Sequence, residues 1–199
     1  IVNCGDYGVP QNRKRLILFA SQFGEIEFIK PTHKNKRITV RQAIGHLESL
    51  EAGESSKNDI LHRARSLSDL NKKRIRATPL NGGWKDWPEE LVLECHKKES
   101  GKSFGSVYGR MSWDEVAPTM TTQCTGLGNG RFGHPEQNRA ITFREAAIFQ
   151  SFPEDYEFFE EENPFSGSNL ELHIGNAVPV RLGEMVAKSI RKHLRKYGK

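Results

Sequence analysis

Apolar runs near the two ends of the chain predict one buried strand and one amphipathic helix. Residues 16–20 are all apolar, a pattern typical of a strand buried on both faces of a parallel sheet. Near the other end, apolar side chains recur at helical spacing and predict a helix that begins at about Val180. Its stripe comprises Leu182, Met185, Val186, Ile190, His193 and Leu194. Each element therefore needs a packing partner elsewhere in the fold.

Two capping boxes predict the starts of further helices. Residues 39–42 read Thr-Val-Arg-Gln and residues 142–145 read Thr-Phe-Arg-Glu. In both, a threonine stands three positions before Gln or Glu, so side-chain and backbone groups at the helix start can satisfy each other. We expect the first helix to extend to about Leu50 and the second to lead into residues 146–149.

The middle of the chain is predicted to be less regular. Residues 51–58 are polar and turn-prone and indicate a boundary. Residues 59–75 have a helical pattern with a basic end, which suits either the helix dipole or a DNA contact. Asp86 is expected to cap a helix that contains Pro88. Residues 101–133 are expected to form irregular strands and loops, and the acidic residues between 154 and 162 a solvated turn.

Length, composition and charge limit the number of domains and the classes of partner that the sequence allows. The 199 residues, 36% of them hydrophobic, suffice for one sizeable domain or two small ones. Mean hydropathy is −0.65, and no stretch approaches the ~20 apolar residues of a membrane span. The start, Ile-Val-Asn-Cys, has no Met and no leader, so we expect a piece of a longer protein. A net charge of +5 and a pI near 9.1 favour an anionic partner without requiring one.

The cysteines and histidines do not predict a metal site or a disulfide framework. Cys4, Cys95 and Cys124 form no CxxC pair, and the seven histidines form no HxxxH. An odd, scattered set of cysteines favours a reducing compartment. Cys124 lies among threonines and could act as a nucleophile, but a single cysteine is more often a small buried apolar residue.

Three short segments allow both a functional and a structural interpretation. Residues 11–15 (Gln-Asn-Arg-Lys-Arg) place two guanidiniums on one face if extended, which suits a phosphate or base edge, or simply a basic strand edge. Residues 126–130 lack GxGxxG spacing, so a phosphate loop is rejected; a flexible loop and a DNA-groove loop stay open. Residues 175–179 fit a turn in which Asn176 caps the final helix.

The order of three segments resembles that in DNA cytosine-5 methyltransferases. Residues 6–15 (Asp-Tyr-Gly-Val-Pro-Gln-Asn-Arg-Lys-Arg) look like motif VIII of that family, and residues 142–147 with 150–153 (Gln-Ser-Phe-Pro) look like motif IX. Residues 174–179 (Ile-Gly-Asn-Ala-Val-Pro) look like motif X. The resemblance implies the C-terminal part of such an enzyme, with the target recognition region between the first two motifs.

This resemblance implies a fold and a domain organisation. The expected class is α/β: the C-terminal fragment of a doubly wound S-adenosylmethionine-dependent methyltransferase, with a small mixed α+β target recognition domain. Residues 1–55 would form an edge of the catalytic domain, and 56–145 the recognition domain. Residues 146–174 would be a hinge, and 175–199 the motif X helix returning to the catalytic domain.

The resemblance also implies the chemistry. The family flips a cytosine out of duplex DNA, adds a thiolate to ring carbon 6 and transfers a methyl group from S-adenosylmethionine to carbon 5. The thiolate lies in a Pro-Cys-Gln motif, which this sequence lacks. The expected partners are therefore double-stranded DNA, S-adenosylmethionine at an incomplete site and a missing N-terminal catalytic part, with no metal and no membrane. We expect the chain to be inactive alone.

Site residues follow from the same resemblance. Arg13 and Arg15 would lie beside the flipped cytosine and its phosphates, as catalytic residues. The DNA-binding residues would be Gln11, Thr119, Thr121 and Arg131. Arg131 is placed there because an arginine can pair with guanine in the major groove. Asn176 and the backbone near Ala177 would contact the cofactor.

Two alternatives and two corollaries accompany this interpretation. The parent could be a catalytically dead DNA-binding relative, or the chain could be a general nucleic-acid module, which would leave the motif X match unexplained. In a prokaryote the protein would be cytoplasmic and nucleoid-associated, in a restriction-modification system or as an orphan enzyme. Apolar faces of the severed domain edges could drive self-association.

Overall fold

Short helices joined by long loops make up most of the chain in the computed structural model, which describes residues 1–159 and 166–197. The α-helices are α1 (Val40–Ile44), α2 (Asp69–Ala77), α3 (Glu94–Lys97), α4 (Phe143–Phe149), α5 (Gly167–Asn176) and α6 (Val180–Arg195). Single 3-10 turns cover Cys4–Tyr7, Trp84–Asp86, Glu89–Leu91, Glu99–Gly101 and Leu127–Asn129. Two strands, β1 (Val2–Asn3) and β2 (Lys14–Arg15), complete the described elements.

The sheet near the start is small and antiparallel. β1 pairs with β2 so that Val2 lies opposite Arg15. Residues 16–20 do not form a strand, and Leu16 and Leu18 are 78% and 88% exposed. The prediction of a strand buried on both faces was wrong, because no described strand pairs with this segment. The described residues likewise contain no doubly wound parallel sheet.

Both capping boxes are confirmed. At α1, Thr39 Oγ1 accepts from the backbone N–H of Gln42 at 3.3 Å, and the Gln42 side chain accepts from the Thr39 N–H at 3.0 Å. At α4, the Glu145 carboxylate accepts from the Thr142 N–H at 2.7 Å. α1 ends at Ile44, earlier than predicted, because the chain turns at Gly45. These boxes fix where each helix begins.

The two helices predicted in the middle were placed wrongly. α2 begins ten residues later than predicted, after Ser68, whose Oγ accepts from the Asn71 N–H at 3.3 Å. Asp59 does not start a helix because its carboxylate accepts from the Leu61 N–H at 2.9 Å in a local turn. Asp86 ends a 3-10 turn instead of capping a helix. Residues that hydrogen-bond locally compete with helix starts, which explains the misplacement.

The buried apolar residues form three clusters. The largest joins α1, α4 and α5 to the loop residues between 111 and 141. The second joins the start of the chain to α6 through Cys4, Val9, Leu182 and Met185. The third is small and contains Ile75, Leu127 and Ala140. The loop around residues 117–133 therefore lies between helices on several sides.

The last helix is confirmed, but its expected cap is not. α6 begins after Pro179, and no side chain caps it. Asn176 is instead the last residue of α5, which lies in the segment expected to be a hinge. The predicted acidic turn is described only as far as residue 159, and the rest of it lies outside the described residues.

Candidate nucleic-acid interface

A buried glutamine joins three segments that are far apart in sequence. Gln11 is fully buried. Its Nε2 donates to the Phe149 carbonyl at 2.8 Å and to Gln150 Oε1 at 2.7 Å, and its Oε1 accepts from the Met120 N–H at 3.0 Å. Because every polar group of this side chain is used inside the fold, the Gln11 side chain offers no free group to DNA in this structure. The expectation of a DNA-binding Gln11 is corrected to a structural role.

Arg13 belongs to the same junction. Its side chain is buried, with Nη1 donating to the Met120 carbonyl at 2.6 Å and Nη2 to the Gly175 carbonyl at 2.9 Å. Burial and the neighbouring charge of Arg15 lower the pKa of Arg13. Arg13 therefore ties the loop at Met120 to the end of α5, and its Nη groups face carbonyls rather than solvent. We call Gln11, Arg13, Met120, Gln150 and Gly175 the buried junction.

The Arg15 side chain lies at the surface, whereas that of Arg13 points into the fold. It is half-buried, and Nη1 donates to the Lys14 carbonyl at 2.8 Å on the protein surface. Among the described residues no carboxylate forms an ion pair with it. The expected two-arginine fork on one face is therefore not formed, because Arg13 turns inward. Arg15 is the guanidinium of the pair that an anion can reach.

Thr119 and Thr121 lie where the buried junction reaches the surface. Thr119 Oγ1 donates to the Asn12 carbonyl at 2.7 Å, which fixes this part of the loop beside the chain preceding β2. Thr121 is exposed, and its backbone packs against Gly175 so closely that a Cβ at position 175 would collide with it. Both threonines thus lie on the same segment that Gln11 holds.

We call residues 121–132 the recognition loop, and Arg131 anchors its end. Arg131 Nη1 donates to the carbonyls of Asn81 and Gly82, the latter at 2.9 Å. Tyr108 supports the middle of the loop, since its backbone N–H donates to the Leu127 carbonyl at 3.1 Å. Arg131 is half-buried, so only part of its guanidinium is available to a base.

A polar network at the start of the recognition loop was missed by the sequence analysis. Glu171 of α5 accepts from the backbone N–H and the hydroxyl of Thr125 at 2.6 and 2.7 Å, and from Arg65 Nη2 at 2.7 Å. The three residues are separated by 46 to 106 positions in sequence. No local pattern could have indicated the contact.

The predicted cofactor residues lie at the end of α5. Asn176 is exposed, and Ala177 is half-buried with its N–H donating to the His173 carbonyl at 3.0 Å. A cavity of about 630 Å³ lies beside Ala177 and is lined by aromatic residues that include Phe152 and Tyr156. An exposed amide can donate to a carboxylate and accept from an ammonium group, so the Asn176 side chain is free to bind a polar ligand.

Neither of the two buried cysteines has the surroundings of a reactive thiolate. Burial raises the pKa of Cys124 to about 12, and the Glu171 carboxylate adds to the effect. Burial also raises the pKa of Cys4, against the opposing charges of Arg15 and Arg13. Cys95 is exposed. A nucleophilic cysteine needs a lowered pKa, so neither buried thiol meets the requirement.

Two classes of site are not found in residues 1–159 and 166–197. No group of three or more His, Cys, Asp or Glu side chains is arranged to hold a metal ion. No helix in this part of the chain is both long and apolar enough to cross a bilayer.

A solved structure shares this fold. The chain matches a candidate DNA modification methyltransferase encoded within an Escherichia coli prophage with a TM-score of 0.63 and 19% identity, covering 98% of this chain and 59% of that one. The chain therefore shares the α/β methyltransferase fold of that structure. The family model for C-5 cytosine-specific DNA methylase matches residues 1–192. The chain belongs to this family.

Curated relatives agree with the family match. The type II methylase M.HgiDII of Herpetosiphon aurantiacus is 55% identical over 196 residues, which cover 98% of this chain and 55% of that protein. The type II methyltransferase M1.BsuMI of Bacillus subtilis is 33% identical over 94% of this chain and 42% of its own length. DNA (cytosine-5)-methyltransferase 3 of Arabidopsis thaliana is 28% identical over 98% of the chain and 18% of its own length. The chain thus spans about half the length of its bacterial relatives, or less.

The comparisons correct one expectation. The sequence analysis assigned the chain to the C-terminal part of the family. The methylase model instead matches residues 1–192, and M.HgiDII aligns over 98% of the chain. These matches extend over nearly the whole chain, so the assignment to a C-terminal part was wrong.

Proposed function

We propose that this chain contributes DNA recognition and part of the cofactor site to a DNA cytosine-5 methyltransferase. The observation that carries the proposal is the buried junction, in which Gln11 and Arg13 connect Met120, at the edge of the recognition loop, to Gly175, beside the predicted cofactor residues. A junction of this kind would fix the position of a DNA-facing loop relative to a cofactor-facing turn. Reactions between two bound substrates depend on such fixed geometry.

The residues take separate roles in this proposal. Arg15 would neutralise a phosphate or donate a hydrogen bond to the flipped cytosine, because its guanidinium is the accessible one. Arg13 would act through Met120 and Gly175 and is a positioning residue. Thr119 and Thr121 would contact the DNA backbone at the flipped base. Arg131 would read a base from the anchored end of the recognition loop.

The methyl transfer itself needs groups that this chain does not offer. S-adenosylmethionine supplies the methyl group when bound, and Asn176 would hold its methionine end. The attacking thiolate would come from a residue outside this chain, because Cys4 and Cys124 are buried with raised pKa values and Cys95 does not lie in a Pro-Cys-Gln motif. The isolated chain would therefore bind DNA and transfer no methyl groups.

The biological setting is part of the proposal. The relatives M.HgiDII and M1.BsuMI are type II enzymes by name. A protein of this kind would mark a short DNA sequence within a restriction-modification system, acting on the DNA of a bacterial cytoplasm. Self-association through exposed Leu16 and Leu18 stays a prediction.

The test uses the complete gene product, duplex DNA and radiolabelled S-adenosylmethionine. We expect methyl transfer to cytosine carbon 5, and Arg15→Ala should lower kcat/KM by about tenfold or more, as for loss of one charge-assisted contact. Arg195→Ala, an exposed arginine on α6, is the matched control and should leave kcat/KM within about twofold. Full transfer by the Arg13→Ala, Arg15→Ala double variant would contradict the assigned roles. Specific DNA binding with no transfer would instead identify a catalytically dead relative.

A further inference from the structure

We propose that Glu171 is a positioning residue for DNA recognition, holding the start of the recognition loop at Thr125. The inference rests on the proposed function of the loop and adds a residue that is not itself in the loop. Glu171 lies on α5, the helix that ends at Asn176. It acts on DNA only through Thr125.

The contacts form a closed ring of charge-assisted hydrogen bonds. Glu171 Oε1 accepts from the Thr125 N–H at 2.6 Å and from the Thr125 hydroxyl at 2.7 Å, while Oε2 accepts from Arg65 Nη2 at 2.7 Å. Arg65 Nε in turn donates to the Thr125 hydroxyl oxygen at 2.8 Å. Both carboxylate oxygens are therefore used, and Thr125 is held through main chain and side chain together. Hydrogen bonds to an ionised group are about twice as strong as neutral ones.

A stability role alone does not account for a carboxylate at this position. Only 5% of the Glu171 side chain is exposed, whereas 46% of the Arg65 side chain is. Leu170 and Ile174 of the same helix are buried in the largest apolar cluster. Burying a charge costs free energy that an ion pair offsets only in part, and an apolar side chain of similar volume is often equally stable. What the carboxylate adds is a fixed direction for its partners.

The loop needs such an anchor because of its composition. Thr125 directly precedes Gly126, and Gly128 and Gly130 follow; these glycines carry no side chains to hold the loop in place. Glycine also has the greatest backbone freedom of any residue. Arg131 binds the Gly82 carbonyl at the far end of this stretch. The glycine-rich segment is thus clamped at both ends, by Glu171 through Thr125 and by Arg131.

The test compares substitutions that change the ring by one group at a time in the complete gene product. Glu171→Gln keeps the shape and one acceptor but removes the charge. Thr125→Val keeps the shape and the backbone N–H but removes the hydroxyl, and Thr125→Ser retains the hydroxyl as the conservative rescue. Glu184→Gln removes an exposed carboxylate on α6 that is paired with Lys188 at 3.5 Å, and is the matched control.

The measured quantity is the discrimination between the recognised DNA sequence and a sequence that differs from it by one base pair. The methylated sequence is first located by bisulfite sequencing, and kcat/KM is then compared between that site and a duplex with one flanking base pair changed. We expect Glu171→Gln and Thr125→Val to reduce the ratio of the two values by about tenfold, the effect of one good hydrogen bond. Thr125→Ser and Glu184→Gln should stay within about twofold. KM for S-adenosylmethionine should not change.

The other possible results of this experiment also have a defined meaning for the inference. Unchanged discrimination in both Glu171→Gln and Thr125→Val would overturn the inference. An equal loss on both duplexes, together with a lower unfolding temperature, would show a merely structural role and would also overturn it. If the wild-type protein binds DNA without methylating it, the binding site is located by selection from random duplexes, and the ratio of dissociation constants for that site and a duplex with one base pair changed replaces kcat/KM. A wild-type protein that neither binds nor methylates DNA would remove the proposed function, and the inference with it.

Discussion

Arg139 and Glu145 form a two-point ion pair with both side chains fully buried. Nη1 to Oε2 and Nη2 to Oε1 are both 2.8 Å. The same carboxylate accepts from the Thr142 N–H at 2.7 Å, and Arg139 Nε donates to the Leu50 carbonyl at 3.2 Å. The pair therefore joins the start of α4 to Leu50, which precedes the predicted recognition domain.

Removal of one partner should destabilise the fold strongly. Arg139→Met leaves a buried carboxylate without its cation, and we expect a loss of about 3–5 kcal/mol in the free energy of unfolding, measured in urea. The Arg139→Met, Glu145→Gln double variant should recover part of this loss, because no unpaired charge remains. Disruption of the exposed Arg41–Asp114 pair by Arg41→Ala serves as the control and should have little effect. Equal stability of the single and double variants would contradict this prediction.

Stability should decrease as the pH falls from 6.5 towards 4. Burial lowers the pKa of His134 from 6.5 to about 4, so across this range the unfolded chain binds a proton that the folded chain does not. Burial would raise the pKa of Glu145, but Arg139 lowers it below 4.5, so acid removes further stability below that pH.

The measurement is the free energy of unfolding in urea at pH 7, 6 and 5. His134→Asn keeps an acceptor for the N–H groups of Glu136 and Gln137, which His134 Nδ1 accepts at 3.2 and 2.9 Å. It should flatten the slope, which one site limits to about 1.4 kcal/mol per pH unit. A slope that is the same in the variant would rule out His134 as the titrating group.

Thiol labelling should distinguish the cysteines. Iodoacetamide at pH 8 should modify Cys95 rapidly, because it is exposed, and should leave Cys4 and Cys124 unmodified in the folded chain. Mass spectrometry after digestion gives the extent of modification at each position. Unfolding in guanidinium before labelling is the control and should expose all three. Fast modification of folded Cys124 would contradict its high pKa and its burial.

Two glycine substitutions should have opposite effects. Gly175→Ala places a Cβ against the backbone of Thr121, which cannot move without displacing the recognition loop. We expect the unfolding free energy to fall by about 1–3 kcal/mol and DNA binding to weaken. Gly183→Ala meets no atom within 4 Å on α6 and should stabilise the helix by about 1 kcal/mol. A Gly175→Ala protein as stable as Gly183→Ala would contradict the close contact.

The apolar surface near the start of the chain should promote self-association. Leu16 and Leu18 are largely exposed, and replacing both with lysine should make the isolated chain monomeric at concentrations where the wild type associates. Sedimentation velocity measures the change. Leu80→Lys, at an exposed leucine distant in sequence, is the control. Association that persists in the Leu16→Lys, Leu18→Lys variant would show that another surface is responsible.

Local sequence determined those elements whose stabilising contacts lie within four residues. The capping boxes at Thr39 and Thr142 satisfy backbone donors inside one turn, and the stripe of α6 repeats with the helix itself, so all three could be predicted. The order of motif-like segments was likewise sufficient to indicate the family. The strand expected at 16–20 could not be judged in this way, because a strand exists only through a partner that its own sequence does not specify.

Tertiary structure alone decided which polar residues face solvent. Gln11, Arg13 and Arg15 alternate along five residues and look equivalent in sequence, yet the first two are buried by contacts with Met120, Gln150 and Gly175 more than a hundred positions away. The same holds for Glu171, whose partners Thr125 and Arg65 are brought together only when α5 packs against the core. A hydrogen bond depends on distance and direction in space, and sequence fixes these only between near neighbours.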